Sequence, residues 1–271
     1  MTLSATDAPT VRCVAHRGTP GGLVPENTAA SALVALRSGA DAIEVDVSVT
    51  TDGAVLAFHD GLEREQLGIV ENITTLTAAQ VGQVPYMRGQ LAGRPVHVQS
   101  LATVLRALRG SGAEVHVDRA WPWWAHVLPV LQGLDMDDQV VIKTPASTQH
   151  LAALQAMVPR FTVAAICASI DDVARALAAP LPVRIIELVS RGCDDIHDAD
   201  LIGRVHAAGA LAMVNAEVVG SPMWLGHDDE VSVLDHPDKG WGMLIDTGFD
   251  YVQTDFPWLF TAYRDTRRRE K

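Results

Sequence analysis

The stretch Ala42-Ile43-Glu44-Val45-Asp46-Val47 sets two carboxylates at alternate positions of a β-branched run. Side chains alternate along a strand, so Glu44 and Asp46 share one face while Ile43, Val45 and Val47 share the other. If the apolar face meets a layer of helices, both carboxylates point into an interior where branched apolar residues ordinarily pack. Two unpaired carboxylates there repel each other and lose hydration. A divalent cation relieves both costs, and hard carboxylate oxygens suit Mg²⁺ or Ca²⁺. A strand end with one carboxylate in water accommodates the same residues without a metal.

Val115-His116-Val117-Asp118 repeats the alternation and ends on a carboxylate. Asp118 is a candidate third ligand, and equally an N-cap for the helix that follows. His16-Arg17-Gly18 closes one β-like run and His59-Asp60 closes another. Two imidazoles at strand ends form a candidate acid/base pair near neutral pH, although a single His also serves structure alone. Arg17 offers a planar fork for phosphate or carboxylate. Pro25-Glu26-Asn27-Thr28 reads as a helix start, with Asn27 or Thr28 as the cap.

These residues need elements to hold them. Strand-like runs fall at 11–15, 42–47, 55–59, 115–118, 139–143, 161–167, 183–189, 210–215 and 251–255. Ala/Leu-rich helical stretches separate them, at 27–38, 101–108 and 123–131, then from Thr148, from Asp171 and after Pro257. About eight strands, most followed by a helix, give the pattern of a (β/α)₈ TIM barrel, an α/β fold whose chemistry sits at the C-terminal ends of the strands. A doubly wound open sheet is the alternative, but Gly18, Gly21 and Gly22 do not form a GxGxxG turn. Residues 61–99 are long and irregular for a βα connection and read as an insertion over one barrel mouth. The expected organisation is one domain spanning 1–271.

The chain has 271 residues, with 21 Lys and Arg against 33 Asp and Glu, a formal net charge of −12. Hydrophobic residues make up 48%, which excludes a disordered chain. A sequence pI near 5.2 argues against nucleic acid or an anionic membrane held by bulk electrostatics. The run Arg267-Arg268-Arg269 reads as a solvated tail. Cys13, Cys167 and Cys193 are scattered, which suits free thiols in a reducing compartment. Residues 1–10 lack the basic and apolar regions of a secretory signal. Apolar stretches such as 151–168 are broken by Pro159 and Arg160, short of the roughly 20 residues that span a bilayer. The expectation is a soluble cytoplasmic protein without membrane insertion.

Two further features stand apart. Gly226-His227-Asp228-Asp229 reads as solvated surface, with Asn215 and His227 as candidate rim contacts. Trp121-Pro122-Trp123-Trp124 follows Asp118. Its rings would either wall a substrate's apolar part or a choline-like cation, or anchor the next helix in the core.

Taken together, His16-Arg17-Gly18, Pro25-Glu26-Asn27-Thr28, Gly39-Ala40-Asp41 with Ile43-Glu44-Val45-Asp46-Val47, Thr51-Asp52-Gly53 and His59-Asp60 resemble the glycerophosphodiester phosphodiesterase family in order and spacing. Residues 99–108 resemble the family's helix after its insertion. Gly248-Phe249-Asp250-Tyr251-Val252-Gln253-Thr254-Asp255-Phe256-Pro257 resembles its closing strand and turn.

The resemblance implies a TIM barrel with a divalent cation, Mg²⁺ or Ca²⁺, at its C-terminal mouth. It makes Glu44 and Asp46 metal ligands, His16 and His59 the acid/base pair, and Arg17 a phosphate binder. The family's third ligand is a Glu with a Lys two residues later. Here the matching strand offers Asp118, with Ala120 in the Lys position. Asp is one methylene shorter, and the Lys role passes to Lys143, which ends Val140-Val141-Ile142-Lys143. The departure reads as a subgroup trait.

The implied partner is a small phosphodiester, hydrolysed to glycerol 3-phosphate and an alcohol. A cation, Arg17 and Lys143 would gather positive charge where a phosphorane-like transition state is negative. Three alternatives share the scaffold. One is a phospholipase-like enzyme that forms a cyclic phosphate. Another is a specialised-metabolism phosphodiesterase, and the last is a barrel that binds a phosphorylated ligand without turnover.

Overall fold

The alternation around Glu44 and Asp46 is realised in an eight-residue strand, Ala42–Val49, in which every residue is buried. Burial on both faces is the mark of a parallel strand inside an α/β protein. The computed structural model describes residues 11–157, 159–189, 198–217 and 228–270. Eight parallel strands form its centre. They are β1 (Arg12–Ala15), β2 (Ala42–Val49), β3 (Glu114–Asp118), β4 (Val140–Pro145), β5 (Thr162–Cys167), β6 (Val183–Leu188), β7 (Leu211–Asn215) and β8 (Tyr251–Thr254). Each pairs with the next in chain order, and β8 returns to β1 with Tyr251 opposite Arg12 and Thr254 opposite Ala15. The sheet is closed, with helices between its strands, which is the (β/α)₈ barrel.

Alternation sorts the side chains into two layers. Val14, Ala42, Val141, Ala164, Ile185, Met213 and Tyr251 form one buried cluster, the apolar floor inside the barrel. The other strand positions, among them Ile43, Val45, Val117, Ile142 and Val214, pack with helix residues such as Leu105 and Val127 in the larger cluster outside it. Above the floor the inward positions turn polar: Glu44, Asp46, Lys143, Glu187, Asn215 and Gln253 are all buried.

One run read as a strand lies outside the ring. Val55–Ala57 pairs antiparallel with β2, Val47 opposite Ala57, and its other edge meets Gln99–Ser100. The reversal is made by a turn in which Gly53 has φ +81° and its N–H donates to the Thr50 carbonyl. A left-handed residue reverses the chain there, so no crossover can form. Short helices at Glu63–Gln66 and Ala78–Val81 follow, then a hairpin of Pro85–Leu91 and Arg94–His97. Phe58, Leu67, Ile73, Val81, Tyr86 and Val96 give this segment a small apolar cluster of its own.

The Trp cluster serves packing. Trp124 is buried at the start of helix Trp124–Gln132, and Trp121 and Trp123 lean on the same core. Asp229, expected at the surface, is 1% exposed. Its carboxylate accepts from the Trp241 indole and Thr254 Oγ1 (both 2.7 Å) and from the Asp255 amide (2.7 Å). Local charge and glycine content misread it because its partners lie in other elements. Cys193, Gly226 and His227 lie outside the described residues. Cys13 and Cys167 are buried free thiols. No helix among the described residues is long and apolar enough to cross a membrane.

Candidate active site

β1 ends at Ala15, and His16 and Arg17 follow at the strand's C-terminal end. Arg17 takes φ +53°, uncommon for a residue with a side chain. Its backbone N–H thereby reaches Glu44 Oε2 at 2.8 Å, while its Nε lies 3.1 Å from Asp46 Oδ2 and its NH1 3.1 Å from Glu26 Oε1. Gly18 completes the turn at φ +78° because a Cβ there would lie 2.7 Å from the Ser31 carbonyl carbon. The loop then feeds helix Ala29–Arg37, capped by Thr28 in a reciprocal capping box with Ser31.

Asn27, also at positive φ, clamps Asp46. Its Nδ2 donates to Asp46 Oδ2 at 3.0 Å, and its Oδ1 accepts from the Asp46 amide at 2.9 Å. The helix-start motif thus fixes a carboxylate on the neighbouring strand, while Thr28 does the capping.

Register places the third carboxylate. Glu44 lies opposite His116 and Asp46 opposite Asp118 on β2 and β3. Asp118 Oδ2 is 2.6 Å from Lys143 Nζ on β4, and Lys143 Nζ is 2.9 Å from Glu187 Oε2 on β6. Glu187 Oε1 in turn accepts from Asn215 Nδ2 at 2.9 Å. Lys143 is fully buried. Burial opposes its charge, but Asp118, Glu187 and Glu44 outweigh that and hold its pKa well above the usual lysine value. Burial raises the Asp118 pKa, and Lys143 more than reverses this, so Asp118 stays below the ordinary carboxylate range.

Glu44 is the exception in this network. Burial, then the charges of Asp46 and Asp118, push its pKa well up, with His16 and Lys143 opposing. Its Oε1 is buried and has no hydrogen-bond partner. Among the described residues no three His, Cys, Asp or Glu side chains converge as a ready-made metal cluster. Arg17 Nε and Lys143 Nζ instead lie against Asp46 Oδ2 and Asp118 Oδ2. An orphaned carboxylate oxygen beside a second carboxylate nevertheless fits a hard cation.

The two histidines have opposite environments. His16 Nδ1–H donates to Asp255 Oδ1 at 2.8 Å. Burial alone would lower its pKa, but Glu217, Asp255 and Glu44 raise it to about 10. His59 Nδ1–H donates to the Asp60 carbonyl at 2.8 Å, which leaves Nε2 with its lone pair. Burial lowers its pKa, and Arg17 and Arg119 add to that against the pull of Asp46. Arg119 is held over this side of the mouth by Asp60, NH2 to Oδ1 2.6 Å.

Several participants have no role that local sequence assigns. Asp255 is visible in the closing motif, but its distance of 239 positions from His16 hides the pairing. Glu187 is the penultimate residue of the strand Val183–Leu188, after Ile185 and Ile186, a signal open to the argument that singles out Glu44. Glu217 is buried with its Oε1 accepting from Gln253 Nε2 at 2.7 Å, and burial lifts its pKa to about 8. Asn215, expected as a rim contact, instead braces Glu187.

Comparison with known proteins agrees with this picture. Residues 16–168 match the model of the glycerophosphoryl diester phosphodiesterase family. A probable glycerophosphodiester phosphodiesterase 1 of Mycobacterium tuberculosis is 39% identical over 83 residues, 30% of this chain and 30% of that protein. The match thus spans about a third of the curated relative's length. A glycerophosphodiester phosphodiesterase from Agrobacterium tumefaciens superposes with a TM-score of 0.68 at 24% identity, covering 94% of this chain and 99% of the other. An Oleispira antarctica phosphodiesterase, solved with its product sn-glycerol-3-phosphate, gives a TM-score of 0.72 at 18% identity, covering 94% and 97%. At these identities the structural matches establish the fold. The family match, spanning more than half the sequence and including His16, Arg17, Glu44, Asp46, His59, Asp118 and Lys143, establishes kinship: the chain belongs to the glycerophosphoryl diester phosphodiesterase family.

Proposed function

We propose that the protein hydrolyses glycerophosphodiesters, or closely related small phosphodiesters, to glycerol 3-phosphate and an alcohol, and that it depends on a divalent cation. The observation that carries this reading is the buried Glu44–Asp46 pair with its orphaned oxygen, set between an arginine and two histidines of opposite pKa tendency. Paired titratable groups pushed apart by their surroundings mark acid and base roles.

Glu44 and Asp46 would hold the cation, with Asp118 as third ligand; Mg²⁺ and Ca²⁺ both suit these oxygens. When bound, such a cation supplies Lewis-acid polarisation of a phosphoryl oxygen and neutralises charge. Arg17 binds the phosphodiester, its guanidinium oriented by Asp46 and Glu26. Lys143 holds Asp118 in place and adds positive potential from below. His59, neutral and with its Nδ1–H committed to a carbonyl, takes a proton from the attacking water at Nε2. His16, kept protonated by its carboxylate neighbours, gives a proton to the leaving oxygen. Asp255 fixes the ring for that donation. The bond from phosphorus to the leaving oxygen breaks as the bond to water oxygen forms. The Oleispira relative solved with sn-glycerol-3-phosphate is consistent with a product of this class.

Phosphorus NMR of the products tests the chemistry. Hydrolysis gives a phosphomonoester from the first turnover. A cyclic phosphate that accumulates before any monoester would contradict direct attack by water and the role of His59 as its base.

A further inference from the structure

A cavity of about 240 Å³ lies beside the proposed site, between the β1–helix loop and the hairpin Pro85–Leu91. Its walls include Gly21, Glu26, Gln66, Tyr86 and Arg88. Both walls are fixed to each other. The Gln90 N–H donates to the Leu23 carbonyl at 3.0 Å. At Gly89 an added Cβ would lie 2.9 Å from Pro25 Cγ and 2.7 Å from Tyr86 Cβ, so the hairpin packs closely on the loop. Glu26 joins the cavity to the site, since its carboxylate accepts from the Arg17 guanidinium at 3.1 Å.

The chemistry of the lining is selective. The Tyr86 ring is buried against Phe58, 6.4 Å between centroids, yet its hydroxyl has no hydrogen-bond partner. A buried unpaired hydroxyl costs stability unless a ligand completes it. Glu26 is engaged by Arg17 and Arg88 brings positive charge, so a cationic group meets no free anion here. One aromatic ring does not make the cage that quaternary ammonium groups need. The volume lies below the roughly 300–1,000 Å³ of pockets for drug-sized ligands, which suits a small alcohol. Hydroxyl groups donate and accept at once, matching Tyr86 Oη, the Gln66 amide and the second oxygen of Glu26, Oε2.

We infer that this cavity receives the alcohol half of the substrate and selects a polyhydroxylated alcohol over choline, with Tyr86 as a specificity-determining residue. The inference rests on the phosphodiesterase reading above. A site built to hydrogen-bond a substrate hydroxyl discriminates strongly against groups lacking it.

The test compares kcat/KM for glycerophosphoinositol, glycerophosphoglycerol and glycerophosphocholine, in wild type and Tyr86→Phe, with bis(p-nitrophenyl) phosphate as a reference diester. The expected result is a preference of about tenfold or more for the two polyol diesters, falling at least about fivefold in the variant through KM. Saturation-transfer NMR should also show free myo-inositol contacting the wild-type protein and less so the variant. Equal use of the choline diester, or an unchanged ratio in Tyr86→Phe, overturns the cavity assignment. So does cleavage of the reference diester alone. Failure to cleave any diester overturns the phosphodiesterase reading itself, and this inference with it.

Discussion

Lys143 Nζ lies 2.6 Å from Asp118 Oδ2, on the adjacent strand of the barrel. The last registered pair between these strands is Val117 with Ile142, so Asp118 and Lys143 stand one step further on, at the mouth. The short carboxylate of Asp118 thus meets the ammonium of a direct neighbour on the next strand.

Removing that ammonium leaves Asp118 and Glu187 without their counter-charge in a buried place. Lys143→Met should therefore cost roughly 3–5 kcal/mol, the cost of breaking a buried ion pair by deleting one partner. A urea denaturation series reads this as a lower midpoint at unchanged slope. A loss within about 1 kcal/mol would mean that water already solvates the pair.

His59→Ala and His16→Ala should each lower kcat by about 10²–10⁴, the usual contribution of a positioned proton-transfer group. Far-UV circular dichroism should stay as in wild type, since both residues follow the ends of their strands. Near wild-type turnover in either variant would remove that residue from the mechanism.

The raised pKa of His16 has a defined sign. Its folded value, about 10, lies above the reference value of 6.5. The stabilisation it brings is complete below pH 6.5 and disappears as pH rises through about 10. In metal-free protein the His16 imidazole should titrate near the upper value by NMR. Asp255→Asn should move that titration down, because it removes one of the three carboxylates that sustain it. Titration of His16 below 6.5 would show that burial outweighs its carboxylates. His59 has the opposite tendency: its lowered pKa costs stability as pH falls below 6.5.

Gly18→Ala tests the turn that carries Arg17. The new Cβ would meet the Ser31 carbonyl carbon at 2.7 Å and the Ala32 amide at 2.9 Å, at φ +78°. Strain of this kind costs on the order of 2 kcal/mol. Thermal unfolding should report that loss together with weaker phosphodiester binding, since the Arg17 N–H moves off Glu44. An unchanged melting temperature would show that the turn can relax.

What the sequence makes legible follows from how local each signal is. Alternation in β2 identifies Glu44 and Asp46 as inward carboxylates, because period and burial are properties of a single strand. Asp118 is visible for the same reason, while Lys143 is singled out only by the family resemblance, as the residue to which the Lys role passes. Partnerships across the barrel are not legible this way. His16 with Asp255 and Lys143 with Glu187 exist only once the sheet closes. Asn27 looks like a helix cap because its own neighbourhood is a helix start; its amide reaches a strand beyond that helix. Asp229 looks solvated among charged neighbours, and distant Trp241 and Thr254 bury it. Val55–Ala57 has strand composition, yet the turn at Gly53 sends it back along β2.

The most direct test of the central claim is phosphodiesterase activity of chelator-stripped protein on a glycerophosphodiester, before and after adding back Mg²⁺ or Ca²⁺. Wild type should be silent when stripped and recover on addition. Its melting temperature should rise with metal concentration, as mass action requires. Glu44→Gln should lose both responses. Full activity in stripped protein, or an unchanged metal response in Glu44→Gln, would contradict the assignment of a cation to the Glu44–Asp46 pair.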